Sequence, residues 1–144
     1  MTSPFHVFTY GTLKPGEHYF DRYCAKWVIE IQEAIAYGEL YDLPLGYPAM
    51  TWGDRIIYGT RLSFTEPAVL TALDELEDYS PDRPPQANEY LRVQRPIFDL
   101  NTQPLGLAWV YWMAPQKAIE LGGVLLPDGQ WAGSKTNTLP IAEF

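Results

Sequence analysis

Short apolar runs punctuated by glycine and proline dominate this chain, and their periods predict more strands than helices. Ile56, Tyr58, Thr60, Leu62 and Phe64 alternate with smaller or polar residues and form one face of a strand, the most regular alternation in the sequence. Phe5 to Tyr10 carries Val7, Phe8 and Tyr10, residues suited to a pleated surface, and Gly11 ends the run. Ile31 to Tyr41 reads as a long extended segment in which Gly38 marks a bulge or sharp bend. Tyr90 to Phe98 and Leu105 to Met113 read as two further strands joined by the turn-like "NTQP".

Two segments carry the helical period instead. Tyr19, Phe20, Tyr23, Cys24 and Trp27 fall on one face, which predicts an amphipathic helix over Glu17 to Trp27. Thr65, Glu66 and Pro67 read as a helix start, with threonine capping free amides, and the helix then runs to about Asp78. "DLPLGYPAM" and "SPDRPPQ" read as loops, the second stiff and exposed because of its prolines. Beyond Ala114 the pattern weakens to a helical turn in "PQKAIELGG" and a turn with apolar flanks in "LLPDGQW". Strands in hairpin-like succession predict an α+β fold, a compact, mainly antiparallel sheet curled or closed into a barrel with flanking helices. Its length of 144 residues fits a single domain over 1–144.

Composition narrows the partners. Ten basic residues stand against eighteen acidic ones, and the basic ones are scattered. Nucleic acid and anionic membrane both need a concentrated cationic surface, so neither is expected. No stretch of eighteen apolar residues occurs, and the N-terminus has no secretory pattern. Cys24 is the one cysteine, which fits a reducing compartment, and the expected location is cytoplasmic.

The candidate chemistry centres on one acid. On a helical wheel at roughly 100° per residue, Glu77 falls between Leu73 and Leu70, inside the arc set by Val69, Leu70, Leu73 and Leu76. Asp74, Glu75 and Asp78 fall outside it, facing water. A carboxylate on the packed face pairs with a cation, accepts several hydrogen bonds or lines a cavity. Arg92 supplies a cation for the first of these; a pair with it would lower the pKa of Glu77 and make it a poor base. Tyr10, Gly11, Thr12 and Leu13 form either an ordinary strand-to-helix turn or an amide-rich loop that holds a ligand. His6 and His18 lack metal-ligand spacing, and no nucleophile elbow occurs, so neither a metal site nor a serine nucleophile is expected.

Four separated stretches, "YGTLKPGE", "GELYDLPLGYPAM", "LDELEDY" continuing to "EYLR", and "LLPDGQW", jointly resemble the gamma-glutamylcyclotransferase-like family, in particular its gamma-glutamylamine cyclotransferase and AIG2-like branch. The resemblance spans nearly the whole chain. It implies a compact β-barrel with flanking helices and a cofactor-independent reaction on a small-molecule γ-glutamyl substrate. The substrate α-amine attacks its own γ-carbonyl, releasing 5-oxoproline and an amine or amino acid. It further implies Glu77 as general base and acid, with Tyr10, Gly11, Thr12, Leu13, Tyr90 and Arg92 binding substrate. Tyr41 and Tyr47 are candidate cavity residues. The branch often has glycine where this chain has Asp78, and "SPDRPPQAN" is longer than a minimal connection, both beside the expected cavity mouth. The alternative reading is a catalytically silent module that keeps the cavity for an amino acid or peptide.

Overall fold

A computed structural model describes residues 3–132. The strands are β1 (Phe5–Thr9), β2 (Glu30–Asp42), β3 (Pro48–Phe64), β4 (Leu91–Phe98), β5 (Pro104–Trp112) and β6 (Val124–Leu125). Between them lie α1 (Phe20–Tyr23), α2 (Pro67–Leu76) and α3 (Pro115–Glu120). The hydrogen-bonded order is β3-β1-β5-β4-β2-β6, and β2 also pairs with β3, so five strands close into a barrel. β6 extends the far end of β2 through Tyr41 and Asp42. All pairings are antiparallel except β1 with β5, so the expected mainly antiparallel closed barrel is the observed one.

The β2–β3 hairpin is the backbone of this barrel. Its register runs from Glu30 opposite Ser63 to Asp42 opposite Pro48, with a shift between Gly38 and Glu39 that leaves Trp52, Gly53 and Asp54 as extra residues. Gly38 is required there, because a Cβ would lie 2.5 Å from the carbonyl oxygen of Thr51. The regular alternation seen from Ile56 is the second half of β3. The strand begins earlier, at Pro48, inside a segment that its prolines mark as loop; Pro48 opens the strand, where a missing N–H costs least.

Alternation divides the core in two. Phe8, Tyr10, Ala36, Leu40, Ile57, Ile97 and Val110 fill one cluster together with Trp131. Val7, Leu62 and Phe64 pack with Phe20, Cys24, Val69 and Leu73 in the other, beneath the helices. Trp131 is 4% exposed and donates from Nε1 to Asp42 at 3.0 Å, so "LLPDGQW" is a packed segment running along β2 as well as a turn.

The helices are shorter than their periods predict. Of the expected helix over Glu17 to Trp27, α1 keeps Phe20–Tyr23, flanked by turns, and Trp27 is exposed. An amphipathic stretch of that length has little intrinsic stability, and the chain must leave it at once, since the Ile29 N–H donates to Ser63 at 2.8 Å. At α2 the cap is Glu66 rather than Thr65, its carboxylate accepting from the Ala68 N–H at 3.1 Å with Pro67 in the first turn. Among the described residues no helix is long and apolar enough to cross a membrane.

Candidate active site

α2 stops at Leu76, and the next two residues set the site. Glu77 is the helix C-cap, with its N–H donating to Leu73 at 2.9 Å, and Asp78 takes φ 56°. A left-handed residue at this place ends the helix and turns the chain, a conformation that favours glycine. Glu77 therefore keeps the inward direction of the Leu73 face while standing at the helix end, where the chain opens onto a cavity.

The cavity holds about 200 Å³, below the range typical of drug-sized ligands. Its walls come from three places. Phe8, Thr9 and Tyr10 at the end of β1 lead into Gly11, Thr12 and Leu13; Tyr47 and Pro48 come from the β2–β3 turn; Leu76, Glu77, Glu89 and Tyr90 come from the end of α2 and the segment leading to β4. Tyr19 and Tyr111 complete the lining. Among the described residues no lysine or arginine is part of it.

The tyrosine hydroxyls are mostly committed to the frame. Tyr10 donates to the carbonyl of Tyr111 and accepts from the Met50 N–H at 3.3 Å. Tyr90 donates to the carbonyl of Pro48 at 2.6 Å, and Tyr111 donates to Asp74 at 2.7 Å. Burial, with nearby negative charge adding to it, holds all three phenols well above their ordinary range, so they stay neutral. Tyr47 is likewise held neutral and donates to the carboxylate of Glu89.

Glu77 stands apart from these frames. Its carboxyl makes no hydrogen bond to the described residues, and burial, reinforced by the charge of Glu89, raises its pKa to about 8. In the loop that lines the same cavity, the N–H groups of Gly11, Thr12 and Leu13 donate to none of the described residues, whereas the carbonyls of Gly11 and Thr12 accept from Lys14 at 3.0 Å and Tyr19 at 2.8 Å. These carbonyl contacts fix the loop while leaving its amides available. Gly11 is needed for packing: a Cβ would lie 2.6 Å from Pro48 Cγ and 2.8 Å from Pro48 Cδ.

Tyr10, Gly11, Thr12, Leu13, Glu77 and Tyr90 thus line one cavity. Arg92 does not. Its Nε donates to Asp74 at 2.8 Å, and its guanidinium lies 4.3 Å from the ring centre of Trp109 and 5.5 Å from that of Tyr79. Asp74, expected to face water, is instead only 16% exposed at its side chain and accepts from both Arg92 and Tyr111. Of the two candidate tyrosines, Tyr47 lines the cavity, while the Tyr41 hydroxyl donates to Glu39 at 3.3 Å. Glu89 and Tyr111 escaped the sequence reading: Glu89 follows a loop with no period, and Tyr111 looks like any strand aromatic.

The family model described as "Gamma-glutamyl cyclotransferase, AIG2-like" matches residues 7–133. A protein of Halalkalibacterium halodurans named "Putative gamma-glutamylcyclotransferase" is 36% identical over 97 residues, 66% of this chain and 78% of its own. Among solved structures, a mouse AIG2-like protein aligns with a TM-score of 0.64 at 17% identity, covering 90% of this chain and 88% of the other. YkqA from Bacillus subtilis aligns with a TM-score of 0.64 at 18% identity over 94% of this chain, which spans only 44% of YkqA. At such identities the structures speak for the fold, and the family match carries the relationship. The chain belongs to the gamma-glutamyl cyclotransferase, AIG2-like family.

Proposed function

We propose that this protein is a γ-glutamyl cyclotransferase that uses Glu77 as both base and acid, releasing 5-oxoproline and an amine. The observation that carries the reading is that one small cavity is lined both by a carboxyl and by a loop whose amides, like that carboxyl, make no hydrogen bond to the described residues.

The chemistry needs both. The γ-glutamyl group enters with a protonated α-amine, and the Glu77 carboxylate takes one of its protons. The freed nitrogen attacks the γ-carbonyl carbon, forming the ring C–N bond and placing negative charge on the carbonyl oxygen. Amides of the Gly11–Leu13 loop stabilise that oxygen or hold the substrate α-carboxylate. Glu77, now a carboxylic acid, returns its proton to the leaving nitrogen as the original C–N bond breaks. The ring nitrogen then gives up its second proton, which the same carboxylate passes to the departing amine; the products are the neutral lactam and an ammonium, and the proton count closes with no other reactant. A pKa of about 8 suits this double duty, because the group is neither so acidic that it cannot accept a proton nor so basic that it cannot return one. Tyr10 and Tyr90, neutral and tied to backbone, shape the walls that fold the substrate so that its ends meet. Cytoplasmic residence belongs to the same reading, supported by the buried, unbridged thiol of Cys24.

The test is release of 5-oxoproline from γ-glutamyl amines, γ-glutamyl amino acids and glutathione by the purified protein. Product from at least one of them supports the reading. No product from folded protein, with thermal stabilisation by the same compounds, would instead mark a silent binding module.

A further inference from the structure

Asn88 is 3% exposed at the end of an otherwise exposed excursion, and the base-and-acid scheme does not use it. Pro81, Asp82 and the stretch from Pro84 to Ala87 all face solvent. The excursion separates the two carboxylates of the cavity: the chain leaves the end of α2 after Glu77 and returns just before Glu89. Whatever closes its base therefore sets where those two residues stand relative to each other.

Backbone pairing begins that closure and cannot finish it. The Glu89 N–H donates to the carbonyl of Asp78 at 3.2 Å. Continued as an antiparallel ladder, this contact would bring Ala87 opposite Ser80. The Ala87 N–H is turned to Pro84 instead, at 2.9 Å, and Pro81, Pro84 and Pro85 have no N–H to give. The Asn88 side chain takes the missing place. Its Oδ1 accepts from the Ser80 N–H at 2.9 Å, and its Nδ2 donates to the Ser80 carbonyl at 3.2 Å. A primary amide offers the same carbonyl and N–H as a peptide unit, which no other side chain of this length does. The main chain of Asn88 is itself fixed, its N–H donating to Pro85 at 3.1 Å and its carbonyl accepting from Lys117 on α3 at 2.5 Å.

We propose that Asn88 is a positioning residue of this site: by bridging both backbone groups of Ser80 it holds the chain after Glu77 against the chain before Glu89, and so keeps the Glu77 carboxyl where it reaches the substrate nitrogen. The inference rests on the cyclotransferase reading and deepens it. Asn88 is not part of the cavity lining and acts through Ser80 and the left-handed turn at Asp78. The groups that face Glu77 from the surrounding elements are the phenols of Tyr10, Tyr47, Tyr90 and Tyr111 and the carboxylate of Glu89, with Asp74 and Arg92 paired behind Tyr111. Of these, the clasp at Ser80 directly governs Glu89 and Tyr90, which follow it in the chain.

The test is kcat and KM for 5-oxoproline release by Asn88→Ala from the best γ-glutamyl substrate, counted per folded molecule below the melting transition. Ile97→Val, in the barrel core, gives the baseline for a variant that only weakens the fold. A misplaced reacting group predicts kcat roughly ten- to a hundredfold below that baseline. KM changes less, because Lys14 and Tyr19 brace the Gly11–Leu13 loop separately. A second readout needs no turnover: the stability difference between Glu77→Gln and its parent, followed from pH 4.5 to about 8. Freed from the clasp, Glu77 parts from Glu89 and gains water, so its pKa falls and the change in that difference shrinks in the Asn88→Ala background. A kcat equal to the baseline, or the same pH dependence in both backgrounds, overturns the proposal. If the native protein releases no 5-oxoproline, the cyclotransferase reading fails by itself, and the stability difference alone decides the role of Asn88. If Asn88→Ala does not fold, Asn88→Ser, whose shorter side chain cannot span both Ser80 groups, is judged by the same two criteria.

Discussion

Arg92 and Asp74 form an ion pair between β4 and α2, Nε to Oδ1 at 2.8 Å, with both side chains 16% exposed. The pair does more than join two charges. Asp74 also accepts from the Tyr111 hydroxyl, and Tyr111 in turn accepts from Tyr10 at its carbonyl. One network thus ties the helix that ends at Glu77 to the strand that delivers the amide loop.

It follows that Arg92 acts through the frame. Arg92→Met removes one partner of a largely buried pair, for a loss of about 2 kcal/mol. The expected result is a lower melting temperature with KM for the best substrate little changed. A large rise in KM with an unchanged melting curve would assign Arg92 to substrate instead.

Gly11 predicts a sharper effect. In Gly11→Ala the new methyl group meets the Pro48 ring at 2.6 Å, and a proline ring at a strand start has little room to yield. Overpacking of this kind costs about 1–3 kcal/mol, and it displaces the loop amides as well. Thermal melts and 5-oxoproline release should fall together.

Asp78 predicts the opposite sign. Its φ of 56° is strained for most residues, and its contact with Arg83 at 3.0 Å is exposed. Asp78→Gly relieves the backbone and gives up a pair of small value, for a net gain of about 0.5 kcal/mol. Denaturant titration reads the change; a loss of stability would mean that the Arg83 contact matters more than the turn.

Glu77 makes stability depend on pH in an unusual direction. Its folded pKa of about 8 lies above the ordinary 4.5, so between those values the folded state holds the proton more tightly than the unfolded state. As pH rises through this window the folded state must ionise a desolvated carboxyl or keep a proton that the unfolded chain has lost, and stability declines. Glu77→Gln removes that dependence. The variant should be more stable than native protein at pH 8, on the order of a few kcal/mol, with the difference shrinking towards pH 4.5. An equal difference at both ends would contradict a raised pKa.

Much of this site was legible because it follows periods. Glu77 broke a helical pattern, and Gly11 broke a strand, so both were visible without a structure. Asp74 was misjudged because a wheel knows nothing of what the opposite strand presents, and Arg92 and Tyr111 arrive from far along the chain. Trp131 and Glu89 lie in segments without a period, one packed along β2 and the other braced by Asn88, so only tertiary contacts reveal them. The Glu17 to Trp27 pattern was real as a face but too short to remain helical, since backbone pairing of Ile29 with Ser63 takes the chain away.

The most direct test of the account is the pH dependence of kcat/KM for 5-oxoproline release by native protein, set beside Glu77→Gln of matched folded fraction. The account predicts activity that rises with pH through about 8 in the native protein and falls by at least about 100-fold in the variant, as loss of a general base requires. Turnover by Glu77→Gln at a rate close to native, with the same pH profile, would contradict it.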